Sequence, residues 1–544
     1  MRYWLFILIF WLASVAQAAA LEQAAVVAAR PEAATAGAAM LKAGGNAFDA
    51  AAATALALGV VEPASSGFGG GGFFLLYIAK ENRFVMLDAR ETSPKLAGHG
   101  EIYTQQSSMD GPQAAGVPGL PAAVAALATR YGKLGLKRIA APAIRLARQG
   151  FRVSPRLARL IAWRKSVFNA TAKRLFDKKS GDIITQPQLA HTLERFAERG
   201  VRDVYEGEIA GRLVADLKRD GGLIREDDLA AYRLMERQPI TFDYHGFHIV
   251  SASLPSSGGM TLAHILGQLK HDDLEALSAV DRVHLLVEAM KRAYRDRNSY
   301  LGDPDFVHIP EDYLDPKRLA RLRAFIRMDR ATPAVELRGM LEPSGEAANT
   351  SHFSIIDHQG NMVSATLSIN YPFGSGYVSP STGILLNDEM DDFATRPGKP
   401  NAYGLIQGKA NEVAPGKRML SSMTPTIILG PKRTFIVGTP GGSRIISMVL
   451  LAGLGFMLNE TSPEQWVNAP RFHHQYLPDV IQHEPGTFSP DMARELAKRG
   501  HVLKALARPY GNMQAILIDR KAGKVIGLSD KRGEGTAVLI PSGQ

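Results

Sequence analysis

Four stretches of this sequence pair two strand-like runs across a short polar turn, and they are spread along the chain. The first is "GGGGFFLLYIAKENRFVMLDARE", with Lys80 to Arg83 at its turn. The other three, "TSHFSIIDHQGNMVSATLSIN", "MTPTIILGPKRTFIVGTPGG" and "MQAILIDRKAGKVIGLSD", all follow Thr350. Runs rich in β-branched and aromatic residues around Gly or charged turn residues read as β-hairpins. Between and outside them lie helical patterns. "AGAAMLKAGGNAFDAAAATALALGVVEP" is an Ala-rich helix pair broken at Gly44-Gly45, and "SAVDRVHLLVEAMKRAYRDRNSYL" carries apolar residues at helical spacing after a Ser cap. "SRIISMVLLAGLGFML" and "SPDMARELAKRG" are further helices. Hairpins with helices outside them imply stacked antiparallel sheets flanked by helices, a four-layer α/β arrangement. Strands occur on both sides of residue 350, so a cut there would leave both pieces in one fold.

The chain has 544 residues, 46% of them apolar and 21% charged, values of a globular protein rather than a disordered one. Its net charge of +10 comes from 63 basic against 53 acidic residues. Much of the excess sits in "RYGKLGLKRIAAPAIRLARQGFRVSPRLARLIAWRKS", where periodic apolar residues make solvated helix faces the expectation rather than a nucleic-acid surface. There is no cysteine. That removes disulfides, Cys-ligated zinc and a thiol nucleophile, and leaves Ser, Thr, Lys or a carboxylate for covalent catalysis. The opening "MRYWLFILIFWLASVAQAAA" has one Arg before an apolar run and small residues at Ala16-Gln17-Ala18. It reads as a signal peptide over 1–18, with no membrane association after its removal.

No G-x-S-x-G elbow, H-E-x-x-H helix or phosphate-loop lysine is present, and the adjacent His473-His474 pair reads as structural rather than metal-binding. Chemistry gathers instead around "EAANTSHFS". Thr350 opens a strand, and Ser368 and Asn370 follow at the end of its hairpin partner, two residues apart and so expected on one face. "LLNDEMDDF" clusters carboxylates, "KRMLSSMTP" pairs two hydroxyls, and "VGTPGGSR" sets two glycines before a helix, where backbone N–H groups can hold an oxyanion. These are the components of acyl transfer through a hydroxyl nucleophile.

Those phrases, with "KAGGNAFDAAAATALALGVVEPASSGFGGGGFFLLY", "LDARETSP", "LPSSGGMTL", "GILLNDEMDDF", "GTPGGSRI" and "NAPRFHHQ", run in order from about residue 24 to 530. In this the chain resembles the γ-glutamyltranspeptidases (glutathione hydrolases) of the N-terminal-nucleophile hydrolase superfamily. The resemblance implies a four-layer αββα fold of two stacked antiparallel sheets. It implies self-cleavage between Asn349 and Thr350 into a large subunit (19–349) and a small catalytic subunit (350–544), associated as a heterodimer in one domain. Thr350 would then be both nucleophile and, through its freed α-amine, general base. Arg90, Ser421 and Ser422 match the family's groups for the substrate α-carboxylate, and Asn370, Glu389 and Asp392 those for its α-ammonium. Gly441 and Gly442 match the oxyanion hole, Ser368 a hydroxyl that tunes the nucleophile, and Tyr403 the tip of an active-site lid.

The implied substrates are glutathione and other γ-glutamyl compounds, with water, an amino acid or a dipeptide as acceptor. No cofactor or metal is required, and the destination is the periplasm, with an extracellular one as alternative. Two departures stand out: Ser351 replaces a usual threonine after the nucleophile, and Ser368 another. Serine keeps the hydroxyl but is freer in rotamer. The alternatives are a glutaryl-type β-lactam acylase of the same superfamily, and a non-catalytic exported binding protein of this fold.

Overall fold

A computed structural model describes residues 21–104, 106–337, 350–396, 399–401 and 403–543. The expected signal segment 1–18 and Asn349 lie outside the described residues.

The hairpins assemble into two antiparallel sheets. The first has seven strands in the order Thr536–Pro541, Gln23–Ala28, Ser351–Ile356, Met362–Ser368, Gly71–Ile78, Arg83–Ala89 and Met235–Arg237. Its two central strands, 351–356 and 362–368, thus come from downstream of residue 350 and are flanked on both sides by strands from upstream. The second sheet runs Lys524–Ser529, Gln514–Asp519, Arg433–Gly438, Thr426–Leu429, Phe247–Ser251, Ile240–Tyr244, again mixing both parts of the chain. Alternation along each strand sends one face inward and the other outward. Ala25, Val27, Leu75 and Ile356 of the first sheet meet Val250, Ile427, Ile436 and Ile516 of the second in an apolar layer. The opposite faces are covered by helices, as in Val26, Phe74 and Phe353 against the Ala-rich pair, and Phe435 and Val437 against Ile445–Leu458. The layers are helix, sheet, sheet, helix, as expected.

The Ala-rich helices Pro31–Lys42 and Ala47–Val61 explain their own composition. All 15 residues of the second are buried, so only small side chains allow its neighbours to approach. A Cβ on Gly37 would come within 2.3 Å of Thr54 Oγ1. Asn46 caps this helix, accepting from the Phe48 and Asp49 N–H groups at 3.0 and 3.1 Å, while Asp49 accepts from Asn46 N at 2.9 Å.

The basic stretch forms helices Leu136–Gln149 and Pro155–Arg164. Solvated faces describe only part of it. Arg164 is buried, donating to the carbonyls of Pro372 and Gly374 at 3.0 Å each and pairing with Asp110 at 2.8 Å. Burial is tolerable because Nε and one terminal nitrogen of the guanidinium are engaged and a carboxylate balances the charge. Among the described residues no helix is long and apolar enough to cross a membrane.

The layer between the sheets sets a stability test. Ile436 is fully buried there, and Ile436→Ala is expected to cost about 2–5 kcal/mol through lost contacts and the cavity left behind. Chemical denaturation, with an unchanged slope, is the measurement.

Candidate active site

Thr350 sits immediately before strand Ser351–Ile356 and is buried. Leu367 is the partner of Ser351 in the ladder, so Ser368 comes opposite Thr350 one step further along. The strand ends at Ser368, and Asn370 takes a left-handed φ of 69°, a conformation asparagine tolerates better than most residues. The expected shared strand face is therefore corrected: the pair reaches the site by a strand end and a turn. The Asn370 N–H donates to Ser368 Oγ at 2.7 Å, and its Nδ2 donates to the Asp388 carbonyl at 3.0 Å.

Thr350, Ser368 and Asn370 line a small cavity of about 20 Å³ together with Arg90, Asp392 and Tyr403. Its other wall brings Ser421, Ser422, Gly442 and Arg297. Residues as far apart in sequence as Arg90 and Gly442 thus converge on Thr350. Two expected residues stand just off the cavity: Glu389 lies behind Arg90, and Gly441 lines the neighbouring volume.

Arg90 ends strand Arg83–Ala89 and is fully buried. Its two terminal nitrogens pair with Glu389 and Asp392, and its Nε donates to the Met419 carbonyl at 3.2 Å. Burial opposes the charge, but the two carboxylates outweigh it and hold the guanidinium protonated. Here, then, the cation expected to take the substrate carboxylate is paired with two of the anions expected to take its ammonium. Burial pushes Glu389 up to about 7, with Arg90 opposing and Asp392 adding to the rise. Next to Arg90, Glu91 is buried with neither carboxylate oxygen hydrogen-bonded among the described residues, and burial pushes it well above the usual range.

Ser421 and Ser422 precede strand Thr426–Leu429. The Ser421 carbonyl accepts from Ser257 N at 2.8 Å and Ser257 Oγ at 2.6 Å, which fixes this segment against the "LPSSGG" turn. Ser422 Oγ accepts from Arg297 at 2.9 Å. Arg297 also donates to Ser257 Oγ at 2.8 Å and Asn298 Oδ1 at 2.9 Å, and no carboxylate pairs with it among the described residues. Burial pulls its pKa down. Sequence reasoning did not select it. The signal was available: in helix Ala279–Tyr300, Arg297 falls at helical spacing from Met290, Ala293 and Tyr294 on the buried stripe, where an arginine needs a reason.

Gly441 and Gly442 have φ of 150° and 56°, and a Cβ on Gly441 would lie 2.3 Å from Met448 Cε. They begin the turn into helix Ile445–Leu458, whose first N–H groups have no intrahelical acceptors. Tyr403 closes the cavity with its hydroxyl on Asn370, 3.1 Å from the carbonyl, and Gln475 Nε2 holds the Tyr403 carbonyl at 3.2 Å. The Ser351 hydroxyl donates to half-buried Glu62 at 2.6 Å. His473 meets Ser447 at 2.8 Å and Gln475 at 3.0 Å, and His474 meets Asp479 at 3.1 Å, which are structural contacts. No group of three or more metal-ligating side chains occurs among the described residues.

The profile of gamma-glutamyltranspeptidase matches residues 33–540. The chain belongs to the gamma-glutamyltranspeptidase family. It is 40% identical over 512 residues to a glutathione hydrolase proenzyme of Escherichia coli (strain K12), covering 91% of this chain and 87% of that one. The crystal structure of a cephalosporin acylase from Bacillus halodurans superposes with a TM-score of 0.83 at 28% identity, covering 95% of this chain and 96% of that one. That of Helicobacter pylori gamma-glutamyltranspeptidase gives 0.55 at 36% identity, over 57% of this chain and 93% of that one. The family's fold of stacked sheets between helices is the fold described above.

Two measurements probe this gamma-glutamyltranspeptidase site. As pH falls through about 7, Glu389 takes up a proton and can no longer accept from an ammonium at that oxygen. Protonation of Glu389 should therefore contribute to the acidic limb of kcat/KM near that pH, and Glu389→Gln should remove that contribution and leave a shallower limb than the wild type's. Arg297→Ala strips Ser422 of its donor; KM for the donor substrate should rise about tenfold, and Arg297→Lys should recover part of it.

Proposed function

We propose that the chain is the precursor of a γ-glutamyltransferase and glutathione hydrolase whose nucleophile is Thr350. One observation carries this reading: Thr350, Arg90, Asp392, Ser421, Ser422 and Gly442 meet around a single cavity. The Thr350 hydroxyl attacks the Asn349 carbonyl, an ester forms by N-to-O shift, and water releases two chains that stay together as a heterodimer. Thr350 gains an α-amine with an ordinary pKa of about 7.7–8.0, suited to a general base at neutral pH.

In the catalytic cycle that amine takes the Oγ1 proton as oxygen attacks the γ-carbonyl of the donor. The oxyanion is held by the Gly441 and Gly442 amides. The proton then passes to the leaving amine, and the γ-glutamyl ester on Thr350 is resolved by water or by an amino acid or dipeptide. Ser368, whose oxygen accepts from the Asn370 N–H and whose hydroxyl favours the ionised form of Glu389, would tune the nucleophile from across the ladder. A space of about 20 Å³ holds roughly one water, so the γ-glutamyl head enters only by displacement. Its carboxylate replaces Glu389 and Asp392 on Arg90, its ammonium replaces Arg90 on those acids, and Tyr403 swings aside. Because the head group is a zwitterion, this exchange leaves the net charge of the site unchanged. The signal-like leader supports export, to the periplasm.

The acylase likeness supports a second reading, in which a glutaryl group is the donor. A glutaryl group has no amine, which would leave Asn370, Glu389 and Asp392 without a partner. Cleavage of γ-glutamyl anilide should exceed that of glutaryl anilide; the reverse order would replace the first reading with the second. On a denaturing gel the wild type should give two bands, with Thr350 at the N-terminus of the smaller, and glutathione should be hydrolysed. Thr350→Ala should give one inactive chain. An uncut, inactive wild type would rule out the enzyme.

A further inference from the structure

Part of the basic stretch outside the site has a function of its own. Helix Pro155–Arg164 turns Arg156, Arg159 and Trp163 toward a cavity of about 590 Å³. Arg444, Arg508 and Arg532 line it from the other side, and no aspartate or glutamate is among the lining residues. Arg532 is compensated by Glu484 at 2.6 Å and Asp530 at 3.1 Å. Arg444 donates to Gln482 Oε1 at 2.8 Å and lies 5.1 Å over the Tyr510 ring. Arg156, Arg159 and Arg508 form no ion pair among the described residues, although Arg156 does feel the Glu62 carboxyl. Arg156, Arg159 and Arg508 thus bring like charge to one volume whose lining holds no acid, and such a volume concentrates anions.

The position of this volume gives it a role. Gly441 lines it, while Gly442, the next residue, lines the cavity that holds Thr350. Trp163 packs 5.5 Å from the ring of Tyr371, the neighbour of Asn370, so the helix carrying the arginines lies against the segment that supplies Asn370 to the Thr350 cavity. An amide whose carbonyl oxygen sits at the glycine pair has its acyl side toward Thr350 and its amine side toward the arginines.

We infer that the arginine-lined cavity receives the amine side of the reaction and binds a carboxylate carried by the leaving group or the acceptor. It favours carboxylate-bearing amines and peptides over neutral amines of the same size. This rests on the acyl transfer proposed above, since only that reaction has an amine side. Guanidinium groups suit the task because each offers paired N–H donors to a carboxylate.

The test uses the processed enzyme and two donors that differ by one carboxylate, γ-glutamyl-4-nitroanilide and γ-glutamyl-3-carboxy-4-nitroanilide. Wild type should prefer the carboxylated donor, and more so at low salt. The double variant Arg159→Glu, Arg508→Glu should lose about tenfold in kcat/KM on that donor and stay within about twofold on the neutral one. Arg159→Lys with Arg508→Lys should keep most of the preference. An unchanged ratio of the two donors in the charge-reversed enzyme, or an equal loss on both, overturns the inference.

A second readout needs no turnover. Glycylglutamate binding without donor, followed as quenching that disappears in Trp163→Phe, should weaken on charge reversal and exceed that of glycylglutamine. Equal binding of the two dipeptides also overturns it. Failure to cleave the neutral anilide would instead count against the γ-glutamyl reading, with the binding result still deciding the arginine cavity.

Discussion

A guanidinium shut away from water must find charge and hydrogen-bond partners, or the fold that buries it is lost. At Arg90 those partners are Glu389 and Asp392, some three hundred residues downstream. Their pairing joins the end of a strand in the first sheet to the loop that follows the nucleophile hairpin. Around it the other parts fall into place: Asn370 and Tyr403 close one side, and the Ser421–Ser422 segment, braced by Arg297, closes the other. The same pairing gathers both signs of charge in one place as an internal salt. Under the proposed function a zwitterionic head group would meet both signs at once, whereas a plain anion or cation would meet only one.

Much of the architecture was legible in the sequence because its signals are local. Each hairpin announced itself by alternation around a polar turn, and Ser278 marked the start of helix Ala279–Tyr300. What could not be read was which strands become neighbours. Nothing in "TSHFSIID" says that it lies beside Gln23–Ala28 rather than beside a strand nearer in sequence. Nor does periodicity reveal a turn such as that at Asn370, where a left-handed residue cancels the strand alternation that would otherwise put it beside Ser368.

The candidate site shows the same divide. Motif resemblance selected Arg90, Glu389 and Asp392 as binding groups, but not that they pair with one another. Arg297 escaped because a charged residue in a helix defaults to the solvent face, a default its buried neighbours contradict. The basic stretch was read too evenly for a related reason. Helical spacing identifies which side chains share a face, but not whether that face meets water, as with Arg145, a protein carbonyl, as with Arg164, or a cavity, as with Trp163.

Strand interleaving has a consequence for how molecules of this protein mix. The hairpin that opens at Thr350 lies between Gln23–Ala28 and Gly71–Ile78, hydrogen-bonded on both edges, with Thr536–Pro541 wrapped outside the first of these. If the chain is cut before Thr350 as proposed, neither piece could leave without dismantling the centre of a seven-stranded sheet. Each molecule would then keep for life the two chains it was born with. Two co-expressed forms, one defective upstream of residue 350 and one downstream, could not trade parts to make a sound enzyme.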